Sequence, residues 1–229
     1  MSEIGLLNEK PLHASLKEWY SQPGDLIEVP VDGFFADILR GELLIEIQTG
    51  GFASIRHKLR KLLPDHQIRL VYPIALEKWI VKLPEEENGI ISRRKSPKRG
   101  RVEELFREMV SFPHLFVNPN FSVEALLVRE EEVRKYGGGR GRRRNGWVIE
   151  ERRLIEVVDS RIFQRPEDWL ALLPDELDRE FTTQDLAEVM NIRKALAQKM
   201  AYCFRNAGII HRIGKRDRSN LFVVSAGSP

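Results

Sequence analysis

A single cysteine, Cys203, stands in a chain of 229 residues, which excludes an internal disulfide and any cysteine-cluster zinc site. It falls in an apolar helical pattern, where a buried structural thiol is the simplest reading. Histidine is scarce as well, with five in all. No apolar run approaches the ~18 residues of a membrane span, and Met1 to Lys10 has no charged start followed by an apolar signal core. The expected setting is the cytoplasm, with no membrane partner. Net charge is only +3, so overall charge does not name a partner.

Hydrophobic residues make up 42% of the chain, enough for a real core, and the 31% that are charged promise a polar surface. Those charges are segregated. Ile91 to Arg101 carries six bases and no acid, and Arg134, Lys135, Arg140, Arg142, Arg143 and Arg144 form a second cluster partly set among glycines. Glu167 to Glu188 reverses the sign, with eight acids against Arg179, and Arg193 to Arg218 then sets eight bases against Asp217. Blocks of this kind mark surfaces with different tasks.

The pattern predicts a short helix over His13 to Tyr20, stopped by Gln22-Pro23-Gly24. Asp25 to Leu39 and Leu43 to Gln48 read as strands joined by a tight turn at Arg40-Gly41-Glu42. Ser54 is a candidate N-cap for a helix carrying Ile55, Leu59, Leu62 and Leu63, and Pro64 ends it. Ile68 to Ile74 reads as a buried strand, with Trp79 to Leu83 as a candidate extension of the sheet. Val102 to Val110 reads as a helix, and Val123 to Val128 and Trp147 to Val158 both read as strand or mixed. Tyr136 to Gly146, rich in Gly and Arg, reads as an exposed loop. The expected domains are residues 1–165, with basic loops at 91–101 and 134–144, and residues 166–229, divided at Arg165-Pro166.

Registering the first hairpin about Gly41 puts Asp37 across from Ile45 or Glu46. Alternation along a strand then points Glu46 and Gln48 the same way. Two carboxylates and a carbonyl suit a hard cation such as Mg²⁺, or Mn²⁺ in its place, which would polarise a phosphate and activate water. A half-exposed strand with alternating polar residues also produces Glu46 and Gln48 without any chemistry.

Ala36-Asp37-Ile38, the run Leu44-Ile45-Glu46-Ile47-Gln48-Thr49, and the helix and strand that follow resemble the PD-(D/E)XK nuclease superfamily over roughly the first eighty residues. The resemblance implies a restriction-endonuclease-like mixed sheet flanked by helices, an α/β (α+β) fold, with Asp37 and Glu46 binding metal. Gln48 stands where that superfamily usually has lysine. By the same likeness Lys58, on the following helix, is the first substitute for the missing cation, and Glu18 is an extra acid. Asp32, in Pro30-Val31-Asp32, copies the letters of the motif name but ranks second, five residues from Asp37 and on the opposite face of a regular strand. The resemblance implies catalytic roles for Asp37, Glu46, Gln48 and Lys58.

In the C-terminal part, Thr182 or Thr183 can cap a helix carrying Leu186 and Val189, and Asn191 suits a turn. A second helix from Arg193 turns Leu196, Met200, Cys203 and Phe204 inward. Ile209 to Ile213 and Leu221 to Val224 read as a hairpin with a basic tip, and the whole resembles a small winged helix-turn-helix domain. Arg193, Lys194 and Gln198 are then candidates for groove contact, and Lys215, Arg216 and Arg218 for phosphates, together with Arg142, Arg143 and Arg144 of the Gly/Arg loop. A winged helix can also serve protein contacts.

Taken together, these features predict a metal-dependent DNA endonuclease whose DNA is held by a winged helix, with a homodimer left open. The alternative is a non-catalytic DNA-binding or assembly protein on a degenerate nuclease fold, for which Gln48 is the main sign. The pairing is also similar in architecture to the endonuclease subunits of some transposition systems.

Overall fold

The structure is a computed structural model and describes residues 10–84, 90–137 and 146–225. Helix α1 (Pro11–Tyr20) starts with proline at its first turn, where the missing N–H costs nothing, and buries Leu12, Leu16 and Tyr20 on one stripe. Strands β1 (Leu26–Val31), β2 (Phe34–Arg40) and β3 (Leu43–Ile47) form an antiparallel meander. The expected single strand Asp25 to Leu39 is therefore two. Asp32 and Gly33 both take left-handed φ, 48° and 82°, and make a two-residue turn between them. Asp-Gly between apolar runs is a strong hairpin signal, and it outweighed the apparent continuity of the run.

Helix α2 (Arg56–Leu62) follows a 3₁₀ turn at Phe52–Ser54, so Ser54 is not its N-cap. Its hydroxyl is spent on Gly51 O instead, at 2.9 Å. The chain then returns as β4 (Gln67–Lys82), parallel to β3 and longer than expected. A register shift between Ala75 and Glu77 lets this single strand cover both predicted pieces. Strand β5 (Ser92–Lys95) pairs with the far end of β4, beyond the reach of β3. The helix expected over Val102 to Val110 is a 3₁₀ turn at Val102–Leu105 leading into the short α3 (Phe106–Met109). Strands β6 (Phe121–Tyr136) and β7 (Trp147–Phe163) complete a seven-stranded mixed sheet, ordered β1-β2-β3-β4-β6-β7 with β5 on β4.

Alternation along the central strands divides the packing between two cores. Ile45, Ile47, Val71, Leu126 and Val128 pack with α1. Leu44, Ile68, Leu70, Val123 and Ala125 pack with Leu59 and Leu62 of α2 and with Phe106 and Met109 of α3. The sheet is thus flanked by helices, an α+β arrangement.

Beyond Arg165 come α4 (Pro166–Leu170), β8 (Glu180–Thr182), α5 (Thr183–Val189), α6 (Lys194–Asn206), β9 (Ile210–Arg216) and β10 (Ser219–Val224). The strands form a separate sheet ordered β8-β10-β9. Thr182 caps α5 as expected, its hydroxyl accepting from Gln184 and Asp185 N–H while the Asp185 carboxylate accepts from Thr182 N–H. Asn191 turns the chain between α5 and α6 with φ 50°. This C-terminal unit shares a core with the first. Phe204 lies edge-on to Phe106 at 5.1 Å between centroids, and Trp169 packs on Phe116 at 4.1 Å and on Phe163 at 4.4 Å. Among the described residues no helix is long and apolar enough to cross a membrane.

Candidate functional site

Where β2 and β3 part, four charged or titratable side chains gather from four elements. Register pairs Ile38 with Ile45, and one step further brings Asp37 opposite Glu46. Oδ2 of Asp37 accepts the Ile47 N–H at 2.7 Å and lies 3.3 Å from His13 Nε2 of α1. Glu46 is buried, with 4% of its surface exposed. Lys58 reaches it from α2: its Nζ is in ion-pair contact with Glu46 Oε1 and donates to Phe35 O at 2.5 Å.

The two carboxylates titrate apart. Burial, opposed by Lys58 and reinforced by the negative charge of Asp37, pushes Glu46 from 4.5 up to about 7. Burial works the same way on Asp37, but the His13 and Ile47 hydrogen bonds and the charges of His13 and Lys58 outweigh it and hold that carboxyl below its ordinary range. The pair therefore comprises a fixed anion and a carboxylate poised near neutrality.

Gln48 stands next to this cluster but turns away from it. Its Nε2 donates to Gly51 O at 3.2 Å and to Ser54 Oγ at 3.0 Å, so its amide holds the loop leading to α2. Glu18 is exposed, and α1 contributes His13 instead. His13 and Lys17 are four residues apart and share the stripe facing the β1–β2 hairpin, where Lys17 donates to Glu28 at 2.6 Å. That spacing was readable, but which stripe meets the hairpin was not. Asp32 sits in the β1–β2 turn, 2.8 Å from His66 Nε2. Among the described residues no group of three or more His, Cys, Asp or Glu side chains is gathered for a metal.

The basic segment at 91–101 is less free than its composition suggests. Arg93 pairs with Glu131, Lys95 and Arg99 with Glu77, and Arg101 with Glu103, while Arg101 also donates to Met190 O. A Cβ on Gly100 would lie 2.4 Å from Ala75 O, so only glycine lets this loop close against β4. Arg134 and Lys135 end β6 rather than opening a loop, paired with Glu132 and Glu150. Arg142, Arg143 and Arg144 lie outside the described residues.

On the C-terminal unit, Lys194, Gln198, Tyr202 and Arg205 fall on one stripe of α6 and line, with Arg218 of the β9–β10 turn and Ser219 and Asn220 of β10, a groove of about 500 Å³. Tyr202 and Arg205 were not anticipated, although their spacing from Lys194 and Gln198 is helical and legible. Arg193 is the exposed N-cap of α6, and Lys215 is exposed. Arg216 has a different position from that expected: it reaches back to Asp185 Oδ2 and Glu180 O, each at 2.9 Å, and ties the hairpin to α5 and β8.

A family described as "Domain of unknown function (DUF8091)" matches residues 10–164. The "Uncharacterized protein" of Treponema pallidum (strain Nichols) is 29% identical over 224 residues, covering 96% of this chain and 86% of its own length. No solved structure matches. The family match runs from the first described residue to the end of β7, contains Asp37, Glu46 and Lys58, and covers well over half of the chain, so this protein belongs to the DUF8091 family.

Proposed function

We propose that this chain is a metal-dependent DNA endonuclease of the PD-(D/E)XK kind, with a winged-helix unit holding its DNA. The observation that carries the reading is Lys58 on Glu46. A lysine from the helix after the strand stands at the carboxylate of a motif whose usual lysine is replaced by Gln48. The order α1-β1-β2-β3-α2-β4, with β3 and β4 parallel, supports the same superfamily. In the C-terminal unit, the order α4-β8-α5-α6-β9-β10 and its three-stranded sheet support a winged helix, with the exposed stripe of α6 set for a groove and Arg218 for phosphate.

A divalent cation fits the donors present. Glu46 is buried and is destabilised as an anion by its burial and by Asp37, and a cation shared between the two carboxylates would relieve both conditions. Asp37 and Glu46 would hold Mg²⁺ or Mn²⁺, and the ion when bound supplies Lewis acidity and a more acidic water. His13 and the Ile47 N–H orient Asp37. Lys58 offsets negative charge beside Glu46, where the charge of a phosphodiester transition state would grow.

A non-catalytic DNA-binding or assembly role is the second reading. It is favoured by the lack of a third metal-capable side chain among the described residues and by the turned-away Gln48. Incubating the protein with plasmid, linear and single-stranded DNA, with EDTA, Mg²⁺ or Mn²⁺, decides between them. Metal-dependent cleavage is expected. Tight binding with no cleavage of DNA or RNA in either metal would leave the binding role alone.

A further inference from the structure

Between β4, β6 and β7 and the segment after β5 lies a separate cavity of about 320 Å³, near the lower end of the ~300–1,000 Å³ typical of small-molecule sites. Its wall is joined to the candidate catalytic strand, because Arg152 of β7 donates to the carbonyl of Thr49, the residue after Gln48. At its inner wall is Glu130 of β6, 1% exposed, whose Oε2 has no hydrogen-bond donor. Its two oxygens are served unequally: Lys78 Nζ is 2.9 Å from Oε1, whereas the cation beside Oε2, Arg152 Nη1, stands off at 3.8 Å. Lys78 divides itself between the two carboxylates, donating also to Glu132 at 2.9 Å. A buried carboxylate with unfilled acceptor sites is costly, so Glu130 calls for N–H or O–H donors from within the cavity.

The rest of the lining calls for an anion. Lys78, Lys98, Arg107, Arg134 and Arg152 outnumber the carboxylates Glu104, Glu130 and Glu132 by two. Lys98 stands at the mouth, with 70% of its side chain exposed and its nearest carboxylate, Glu104, at 3.5 Å. A ligand that satisfies both ends has paired N–H donors on one side and a phosphate on the other.

We propose that this cavity receives one unpaired nucleotide, its base giving two adjacent N–H groups to the Glu130 carboxylate and its phosphate facing Lys98, Arg107 and Arg134. Guanine, with neighbouring ring and amino N–H groups, fits the carboxylate fork. Thymine, with one N–H, does not. The proposal rests on the nucleic-acid reading above and narrows the substrate to strands with an unstacked base near the cut, because a base within a duplex cannot enter a pocket.

The test uses the full-length protein in EDTA, so binding is read without cleavage. Titration calorimetry with dGMP, dTMP and inorganic phosphate is run on wild type, Glu130→Gln and Lys98→Ala. Wild type is expected to bind dGMP saturably and more tightly than dTMP or phosphate. Glu130→Gln should lose about tenfold to a hundredfold for dGMP while phosphate binding is unchanged, since a hydrogen bond to a charged acceptor carries that much. Lys98→Ala, an exposed change that leaves the fold intact, should weaken all phosphate-bearing ligands severalfold. Equal affinity for dGMP, dTMP and phosphate, or no saturable dGMP binding, would overturn the proposal and leave a hydrated ion-pair network. Metal-dependent cleavage without dGMP binding would defeat this inference alone, and dGMP binding without cleavage would defeat the nuclease reading alone.

Discussion

Glu46 is where burial and chemistry pull against each other. In the unfolded chain its proton leaves near 4.5, and in the folded protein near 7, so between those values the folded state holds more protons. Stability contributed by this group is therefore greatest at the acid end of that window and falls as pH rises through it, by roughly 3 kcal/mol at most. Denaturant melts in EDTA at pH 5 and pH 8 should show this fall in wild type and a smaller one in Glu46→Gln. Equal falls in the two proteins would mean that Glu46 titrates normally. For the proposed reaction the same substitution removes the charge with little change in size, so cleavage should disappear while DNA binding persists. Lys58→Ala should lower cleavage by about tenfold to a thousandfold rather than abolish it, because the carboxylates proposed to hold the metal remain. Normal cleavage by Lys58→Ala would end the substituted-lysine reading and leave the carboxylate pair standing. Asp37, Glu46 and Lys58 could be singled out from the order of residues. The turned amide of Gln48 could not, because it depends on the loop from Thr49 to Ser54 curling back within reach.

At the level of elements, the β9–β10 hairpin carries two kinds of arginine. Arg218 lines the groove beside α6, whereas Arg216 is held by Asp185 and Glu180. If the hairpin neutralises phosphates, Arg218→Glu should reduce the slope of log K against log salt by at least ~0.9, the share of one duplex contact. Arg216→Ala should change that slope little but lower thermal stability, because it frees the hairpin from α5. Fluorescence anisotropy at several salt concentrations, with melting curves, measures both. A slope that depends on Arg216 as much as on Arg218 would contradict the assignment. The long strands β4, β6 and β7 were legible only in pieces. Charged runs such as Arg129 to Glu132 look unlike sheet interior, yet Glu130 and Glu132 are buried because Lys78 and Arg134 pair with them.

Across the whole molecule, the Arg165-Pro166 boundary divides the elements without separating their cores. Trp169 and Phe204 pack on Phe106, Phe116 and Phe163, and Lys199 of α6 donates to Arg107 O at 3.2 Å. Trp169→Ala should therefore cost about 3–5 kcal/mol, as large-to-small changes in a packed core do. The loss should appear in one cooperative transition that includes the C-terminal strands. Two separate transitions in wild-type calorimetry would show that the shared aromatic cluster does not couple the units.

By itself, the sequence determined the local elements and the chemistry available to them. Period and cap residues set α1, α5 and α6, the Asn191 turn and the hairpin around Gly41, since these depend on neighbours a few residues apart. Only the tertiary structure decided which charges meet. His13 reaches Asp37 across 24 positions, Arg152 reaches Thr49 across 103, and Lys78 enters a buried network with Glu130 and Glu132. Such pairings are set by sheet order and strand register, which bring distant segments side by side and then fix, by alternation, which side chains face each other.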